Sequence, residues 1–169
     1  MATEKPTREE NLKKINELIK DIKFAMLTTV EPDGTLRSRP MATQEADFDG
    51  DLYFFTKEHS PKVEQIQKDR HVNAAYANPE KQHYVSMAGT ANVITDRAIM
   101  EQYWTSELKA WFPKGLEDPE LALLEVNVSQ AEYWDSPNSV IVHLYGLAKA
   151  AITGQPAGKE VGENEKVNL

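Results

Sequence analysis

Hydroxyl and ammonium groups crowd the end of an apolar run in FFTKEHSPK, residues 54–62. The run reads as a buried strand, and Ser60 followed by proline is typical of a helix N-cap. Thr56, Ser60 and Lys62 would then lie beside the free N–H groups of a helix start, an arrangement that suits a phosphate. The alternative is a solvated loop with an ordinary helix cap, and both interpretations fit this stretch.

Two further cations stand close together in TLRSRPM. Arg37 and Arg39 are two residues apart, so on a strand both side chains point to the same face. Adjacent like charges repel, which indicates either an anion between them or a strand surface that faces solvent. Pro40 cannot donate to a strand ladder, so this strand is predicted at a sheet edge or a bulge.

A histidine and several aromatic residues are the other candidates for chemistry. His83 could act as a base, but the four histidines lack metal-binding spacing and the sequence places no suitable carboxylate beside them, so no metal site is predicted. Trp111 and Phe112 lie beside chain-breaking residues, and Trp134 ends a long apolar run. Each of these aromatic side chains suits either core packing or contact with a flat ligand.

The composition predicts one soluble domain with an acidic surface. The 169 residues carry a net charge of -8, which repels nucleic acid and anionic membranes, so a small anion would need a locally basic pocket. The absence of cysteine excludes thiol catalysis, disulfides and zinc-thiolate sites. No apolar run approaches the ~20 residues that span a bilayer, and the first residues lack an apolar signal region. A cytoplasmic location is therefore expected.

The elements that must position these residues are mostly strands. Apolar patterns predict about six of them, with Asp-Gly pairs at 33–34 and 49–50 as turns between strand-like runs. Gly89 inside a strand indicates a bulge or a close approach of another backbone. The sequence shows no βαβ alternation and no glycine-rich nucleotide loop, so an antiparallel barrel with peripheral helices is favoured.

Helices are predicted around this sheet. Thr7 and Glu10 form a capping-box pattern at the start of an N-terminal helix at about 7–22. Other helices are predicted at 60–69, from 95 or 96 to 108, and at 140–151. The segment 154–169 is poor in apolar residues, and its composition is typical of a loose tail. We nevertheless expect contacts that hold this segment against the molecule and near the site.

Five segments in this order and spacing resemble the FMN-binding split barrel of the pyridoxamine 5'-phosphate oxidase-like superfamily, and more narrowly its bacterial general stress protein branch. They are TTVEPDGTLRSRPM, LYFFTKEHSPK, YVSMAGTANVITD, WFPKGLEDPE and AEYWD, and the resemblance runs from about residue 10 to 152. It implies a mainly β protein with peripheral helices, built as a six-stranded antiparallel split barrel in a single domain over 1–169. It also implies a homodimer with FMN at the subunit interface.

The resemblance implies a set of cofactor-binding residues. Those at the FMN phosphate are Thr56, Ser60 and Lys62, with Arg39 nearby. Those whose backbone lines the isoalloxazine are Pro40, Met41 and Phe55. Either Tyr84 and Ser86 or the loop of Trp111 and Phe112 would come from the second subunit, and Trp134 would flank the ring.

The implied function is that of a flavin-dependent oxidoreductase with a small-molecule redox partner. The oxidase proper binds its substrate phosphate with an Arg-x-His element near the C-terminus, whereas this sequence has no arginine after Arg97. That departure argues against true pyridoxamine-phosphate oxidation. Three alternatives stay open: an oxidoreductase of unspecified substrate, a non-catalytic flavin carrier or sensor, and an oxidase with a divergent substrate site. FAD in place of FMN stays open as well.

Overall fold

The computed structural model describes residues 6–44, 46–136, 151 and 163–169. Within this part of the chain the helices are Arg8–Ile19 (α1), Pro61–Lys68 (α2) and Arg97–Tyr103 (α3). The strands are Phe24–Val30 (β1), Leu36–Ala42 (β2), Asp51–Lys57 (β3), His71–Asn78 (β4), His83–Ile94 (β5), Leu121–Asp135 (β6) and Glu163–Asn168 (β7). No helix in the described ranges has the length and apolar character needed to cross a membrane. Apart from residue 151, the helix predicted at 140–151 lies outside the described residues.

The strands form one antiparallel sheet in the order β2-β1-β4-β5-β6-β3, and β7 also pairs with β6. The mainly β, antiparallel split-barrel prediction is therefore confirmed, with β7 as a seventh strand beyond the six predicted. Strands β2 and β3 stand at the two ends of this path, and they lie near each other without being paired in the described sheet. The barrel is thus open between β2 and β3.

The two Asp-Gly turns behave differently. Asp33 accepts hydrogen bonds from the backbone N–H and hydroxyl of Thr35, and Gly34 has a positive φ of 84°, so this turn joins β1 and β2 as predicted. The turn at Gly50 precedes β3, but β3 pairs with β6 rather than with β2. The prediction that this second turn joins two paired strands is wrong, because a distant partner overrides the local signal.

Gly89 marks a place where two strands approach closely. The register of β5 against β6 shifts between Ala88 and Gly89, which confirms the predicted bulge. A Cβ atom at Gly89 would lie 2.1 Å from the carbonyl oxygen of Asn127. Only glycine fits there, since real Cβ contacts do not come so close.

The helices are shorter than the apolar periodicity indicates. The capping box of Thr7 and Glu10 is present, but α1 ends at Ile19 and Ile22 reaches the core from the following turn. Asp96 caps α3, which ends at Tyr103. Leu108 belongs instead to a short 3-10 turn at Ser106–Ala110, and its side chain is buried in a smaller core with Phe55, Met100, Leu121 and Leu123.

The described end of the C-terminal segment is held in place as β7. It pairs with Gln130–Asp135 of β6, and Val167 is buried against the main core. Lys14 of α1 lies 2.5 Å from Asp135 and 3.6 Å from Glu163, so one ammonium group links α1, β6 and β7. Backbone pairing and this ion pair hold a segment whose composition alone is typical of a loose tail.

Candidate functional site

The opening between β2 and β3 holds a groove of about 370 Å³, here called the strand-end groove. Its lining residues are Phe24, Pro40, Met41, Ala42, Phe55, Thr56, Lys57, Ser60, Lys62, Leu108, Trp111 and Phe112. They come from the start of β1, the ends of β2 and β3, the start of α2 and the loop after α3. Within the described sheet, β2 and β3 each have one edge without a strand partner, so backbone groups there are available to a ligand.

The polar end of this groove combines two hydroxyls and an ammonium group. Lys62 Nζ donates to Thr56 Oγ1 at 3.0 Å, and the Thr56 and Ser60 hydroxyl oxygens are 3.3 Å apart. Ser60 is the N-cap of α2, yet its side chain caps no backbone N–H. The predicted helix start is therefore present, but the ordinary capping hydrogen bond, one of the two interpretations of this stretch, is not made, and the hydroxyl lies toward Thr56 instead.

The electrostatics of this end favour an anion. Burial lowers the pKa of Lys62, and the nearby charges of Arg39 and Arg37 lower it further. Arg37 has a partner in Glu31 at 3.6 Å, whereas no carboxylate within the described ranges forms an ion pair with Lys62 or Arg39. Binding of an anion would stabilise this cluster of mutually repelling cations in a protein of net charge -8.

Arg39 does not line the groove and is held behind it. Its Nη1 donates to Thr29 Oγ1 at 2.6 Å, and its Nη2 donates to Gln65 Oε1 at 3.0 Å. The Thr29 hydroxyl donates to the same Gln65 oxygen at 2.6 Å, and both side chains are buried. Burial and the charge of Arg37 lower the pKa of Arg39. Arg39 therefore adds positive charge near Lys62 without lining the groove.

Aromatic side chains line the apolar part of the strand-end groove. Phe55 packs edge-on against Trp104 at 5.4 Å between ring centroids and is tilted against Phe112 at 6.5 Å. Trp111 meets Phe24 edge-on at 6.3 Å, and these two side chains are 55% and 50% exposed. Exposed rings beside a polar end suit a ligand with a flat apolar body and a charged tail.

A second groove of about 300 Å³ adjoins the first at Phe24 and is here called the sheet-face groove. Its other lining residues are Met26, Ala75, Tyr76, Ala77, Tyr84, Val85, Ser86 and Trp134. Tyr84 and Trp134 are opposite each other across β5 and β6. Eight of the twelve predicted site residues thus meet in the strand-end groove, three meet in the sheet-face groove, and Arg39 lines neither.

The other titratable groups do not gather into a comparable site. His83 lies 3.2 Å from Asp135, a carboxylate that the sequence did not place beside it, but His83 lines neither of these two grooves. A third cavity of about 310 Å³ lies between α1 and β3 and contains no predicted site residue. Two of its carboxylates, Asp21 and Asp47, are already bonded to Lys81 and Asn16. No cluster of metal ligands occurs among the described residues.

Sequence reasoning missed several residues of the site. Phe24 and Met26 face outward because β1 alternates between exposed and buried positions, with Ala25 and Leu27 turned inward. Five of the seven residues in FAMLTTV are apolar and they lie on both faces, so hydropathy alone does not show which face is buried. Gln65 lies three residues after Lys62 on α2, and its link to Arg39 arises only when α2 packs over β1 and β2.

A flavin phosphate fits this chemistry. The hydroxyls of Thr56 and Ser60 and the Lys62 ammonium can all donate to phosphate oxygens, and Lys62 in particular has no carboxylate partner in the described part of the chain. The unpaired edge of β2 at Pro40 and Met41 and the rings of Phe55 and Trp111 can contact a planar ring.

Comparison with known proteins places the chain in one family. The family model described as "Pyridoxamine 5'-phosphate oxidase like" matches residues 10–157. Protein bli-3 of Neurospora crassa is 30% identical over 179 residues, which span 98% of this chain and 85% of the fungal protein.

Solved structures agree with this placement. The general stress FMN/FAD binding protein of Xanthomonas citri is 27% identical with a TM-score of 0.67, over 78% of this chain and 93% of that one. A Clostridium acetobutylicum protein related to general stress protein 26 has a TM-score of 0.71 over 96% of this chain and 97% of its own. At 21% identity, the second likeness is one of fold alone.

Proposed function

The chain belongs to the pyridoxamine 5'-phosphate oxidase-like family, and from this premise we propose that it binds FMN in the strand-end groove and acts as a flavin-dependent oxidoreductase. The observation that carries the proposal is the cluster of Thr56, Ser60 and Lys62, where a half-buried cation and two hydroxyls lie at the start of α2. The similarity to an FMN/FAD binding protein of X. citri supports it.

Each part of the groove has a role in this proposal. Thr56, Ser60 and Lys62 hold the phosphate, and Arg39 adds positive charge from behind. The edge of β2 at Pro40 and Met41, with Phe55, contacts the isoalloxazine, which supplies the electron-accepting chemistry when bound. Trp111 and Phe112 exclude water from the ring. The small-molecule redox partner and the cytoplasmic location remain predictions from the sequence.

We also propose that two copies of the chain form a homodimer across the sheet-face groove. Phe24, Met26, Tyr84 and Trp134 give this groove large apolar side chains that are 38–50% exposed. A neighbouring copy that covers them would bring Tyr84, Ser86 and Trp134 of one subunit toward the strand-end groove of the other. The sheet-face groove adjoins the strand-end groove at Phe24, so one interface can border both.

The phosphate assignment is tested by comparing FMN with riboflavin, which lacks the phosphate. Lys62→Ala should weaken FMN binding by about 1.5–3 kcal/mol, the scale of a hydrogen bond to a charged group. Riboflavin affinity should change much less. Fluorescence titration of the flavin-free protein measures both affinities, and Lys68→Ala, at an exposed position of the same helix, is the control. Equal losses for the two ligands would contradict the assignment.

The catalytic part of the proposal has its own test. Flavin bound to the protein should be reduced by NADH or NADPH faster than free flavin, as followed by the loss of its visible absorption. Tight flavin binding without accelerated reduction by either donor would favour a carrier or sensor. Oxygen consumption with pyridoxamine phosphate would favour an oxidase with a divergent substrate site.

A further inference from the structure

A polar network, buried at Thr29 and Gln65 and partly buried at Arg39, joins α2, β1 and β2 next to the strand-end groove. It consists of Thr29 of β1, Arg39 of β2 and Gln65 of α2, joined by three hydrogen bonds of 2.6, 2.6 and 3.0 Å. Thr29 is 0% exposed and Gln65 is 5% exposed. Buried polar side chains cost free energy unless they are bonded, and here each has a partner within the network.

The direction of each hydrogen bond is fixed by chemistry. A guanidinium only donates, so the Gln65 atom that faces Arg39 must be its amide oxygen. That oxygen also accepts from the Thr29 hydroxyl, and the Thr29 oxygen accepts from the other arm of Arg39. The hydroxyl of Thr29 is therefore used as donor and acceptor at once, which neither valine nor alanine can reproduce.

The network ends beside the proposed phosphate site. Gln65 is one helical turn after Lys62, so the helix that carries the groove's cation also carries the acceptor for Arg39. Arg39 and Lys62 repel each other and burial disfavours both charges. Without fixed acceptors the guanidinium would turn away toward solvent, where its charge is screened.

We propose that Thr29 and Gln65 are positioning residues that hold the Arg39 guanidinium behind Lys62 and so set the affinity of the strand-end groove for the phosphate of its ligand. This inference rests on the proposed flavin-binding function. It assigns neither residue a contact with the ligand. Both act through Arg39, so their loss should affect the phosphate and leave the ring contacts unchanged.

Two substitutions of Thr29 separate positioning from packing. Thr29→Val keeps the shape and removes the hydroxyl, whereas Thr29→Ser keeps the hydroxyl and removes a methyl group. Thr29→Val should weaken FMN relative to riboflavin by about three- to tenfold, the scale of one to two net hydrogen bonds. Thr29→Ser should keep the ratio of the two affinities within about twofold of the wild type. Gln65→Met, which removes the shared acceptor at similar volume, should behave as Thr29→Val.

Fluorescence titrations of the folded, flavin-free variants with FMN and riboflavin give this ratio, and urea unfolding gives their stability. A wild-type protein that binds neither flavin would defeat the proposed function itself. If the wild type prefers FMN and Lys62→Ala abolishes that preference, the phosphate site stands. The positioning role would then be overturned if the ratio of FMN to riboflavin affinity were unchanged in Thr29→Val and Gln65→Met. It would also be overturned if this ratio fell as much in Thr29→Ser as in Thr29→Val. Should Thr29→Val fail to fold, Gln65→Met decides alone.

Discussion

At the scale of single residues, Lys62 connects the site to pH. Its pKa lies below the ordinary lysine value of 10.5 because of burial, Arg39 and Arg37. In the ligand-free protein the folded chain therefore holds this proton less tightly than the unfolded chain. The protonated lysine destabilises the fold, and that cost is relieved as the pH rises through the lowered pKa.

We expect FMN affinity to show the opposite trend with pH. A bound phosphate stabilises the protonated lysine, so the ratio of FMN to riboflavin affinity should fall as the pH rises through the lowered pKa, before ordinary lysines titrate. Flavin titrations from neutral to alkaline pH measure the ratio. Lys62→Ala is the control, and its ratio should be flat over the same range. A wild-type ratio that stays constant up to the ordinary lysine value would contradict this role.

Gly89 should be among the least replaceable residues of the sheet. In Gly89→Ala the new methyl group would collide with the Asn127 carbonyl, and parting β5 from β6 should cost about 3 kcal/mol of unfolding free energy. Gly34→Ala is the matched control: its φ of 84° is strained for alanine, but no atom lies within 4 Å, so about 1 kcal/mol is expected. Urea unfolding measures both, and similar losses would show that the close approach is unimportant.

The residues of the site could be predicted from the sequence only where they are close along the chain. Thr56, Ser60 and Lys62 stand within seven positions, so local structure alone brings them together. The contact of Gln65 with Arg39 spans 26 positions and depends on how α2 lies over the sheet. Nothing in the local pattern around Gln65 distinguishes it from a surface glutamine.

At the scale of elements, β7 shows how pairing overrides propensity. The strand ENEKVN has a single apolar residue, Val167, and asparagine and glutamate are poor strand formers. The strand is stabilised instead by its backbone hydrogen bonds to β6, by burial of Val167 and by the ion pair of Lys14 with Glu163. The strand β7 could not be predicted from the sequence. The pattern of β6 predicts a long strand but does not show that β6 has an edge to which another strand can pair.

Lys14 should control how firmly β7 is held. Burial alone would lower the pKa of Lys14, but Asp135 and Glu163 outweigh it and raise the pKa. Lys14→Met should speed amide hydrogen exchange in Glu163–Asn168 about three- to tenfold, on the scale of roughly 1 kcal/mol for a partly exposed ion pair. Lys13→Met, at an exposed position of the same helix, is the control. If amide exchange is unchanged in Lys14→Met, backbone pairing with β6 holds β7 without a contribution from the ion pair.

At the scale of the whole molecule, the proposed dimer can be tested at the sheet-face groove. Wild-type protein should sediment as a dimer at micromolar concentration and bury more than about 2,000 Å². Met26→Glu should raise the dissociation constant at least about tenfold, because it places like charges in an apolar interface. Ile99→Glu, at an exposed apolar position that lines none of the three grooves, should leave the dimer intact. A monomeric wild type would contradict the proposal.

The position of β3 at the end of the sheet has a consequence for biosynthesis. Asp51 of β3 pairs with Asn127 of β6, which the ribosome adds 76 residues later. At about 5–20 residues per second, this partner of β3 is absent for roughly 4–15 s; the hairpin β1–β2 is complete before β3 is made, and the hairpin β4–β5 is completed within that interval. During that interval Phe54 and Phe55, both buried in the finished protein, are exposed on the nascent chain. They form an apolar stretch open to misassociation until β6 is made, and this stretch leads directly into the residues proposed to hold the phosphate.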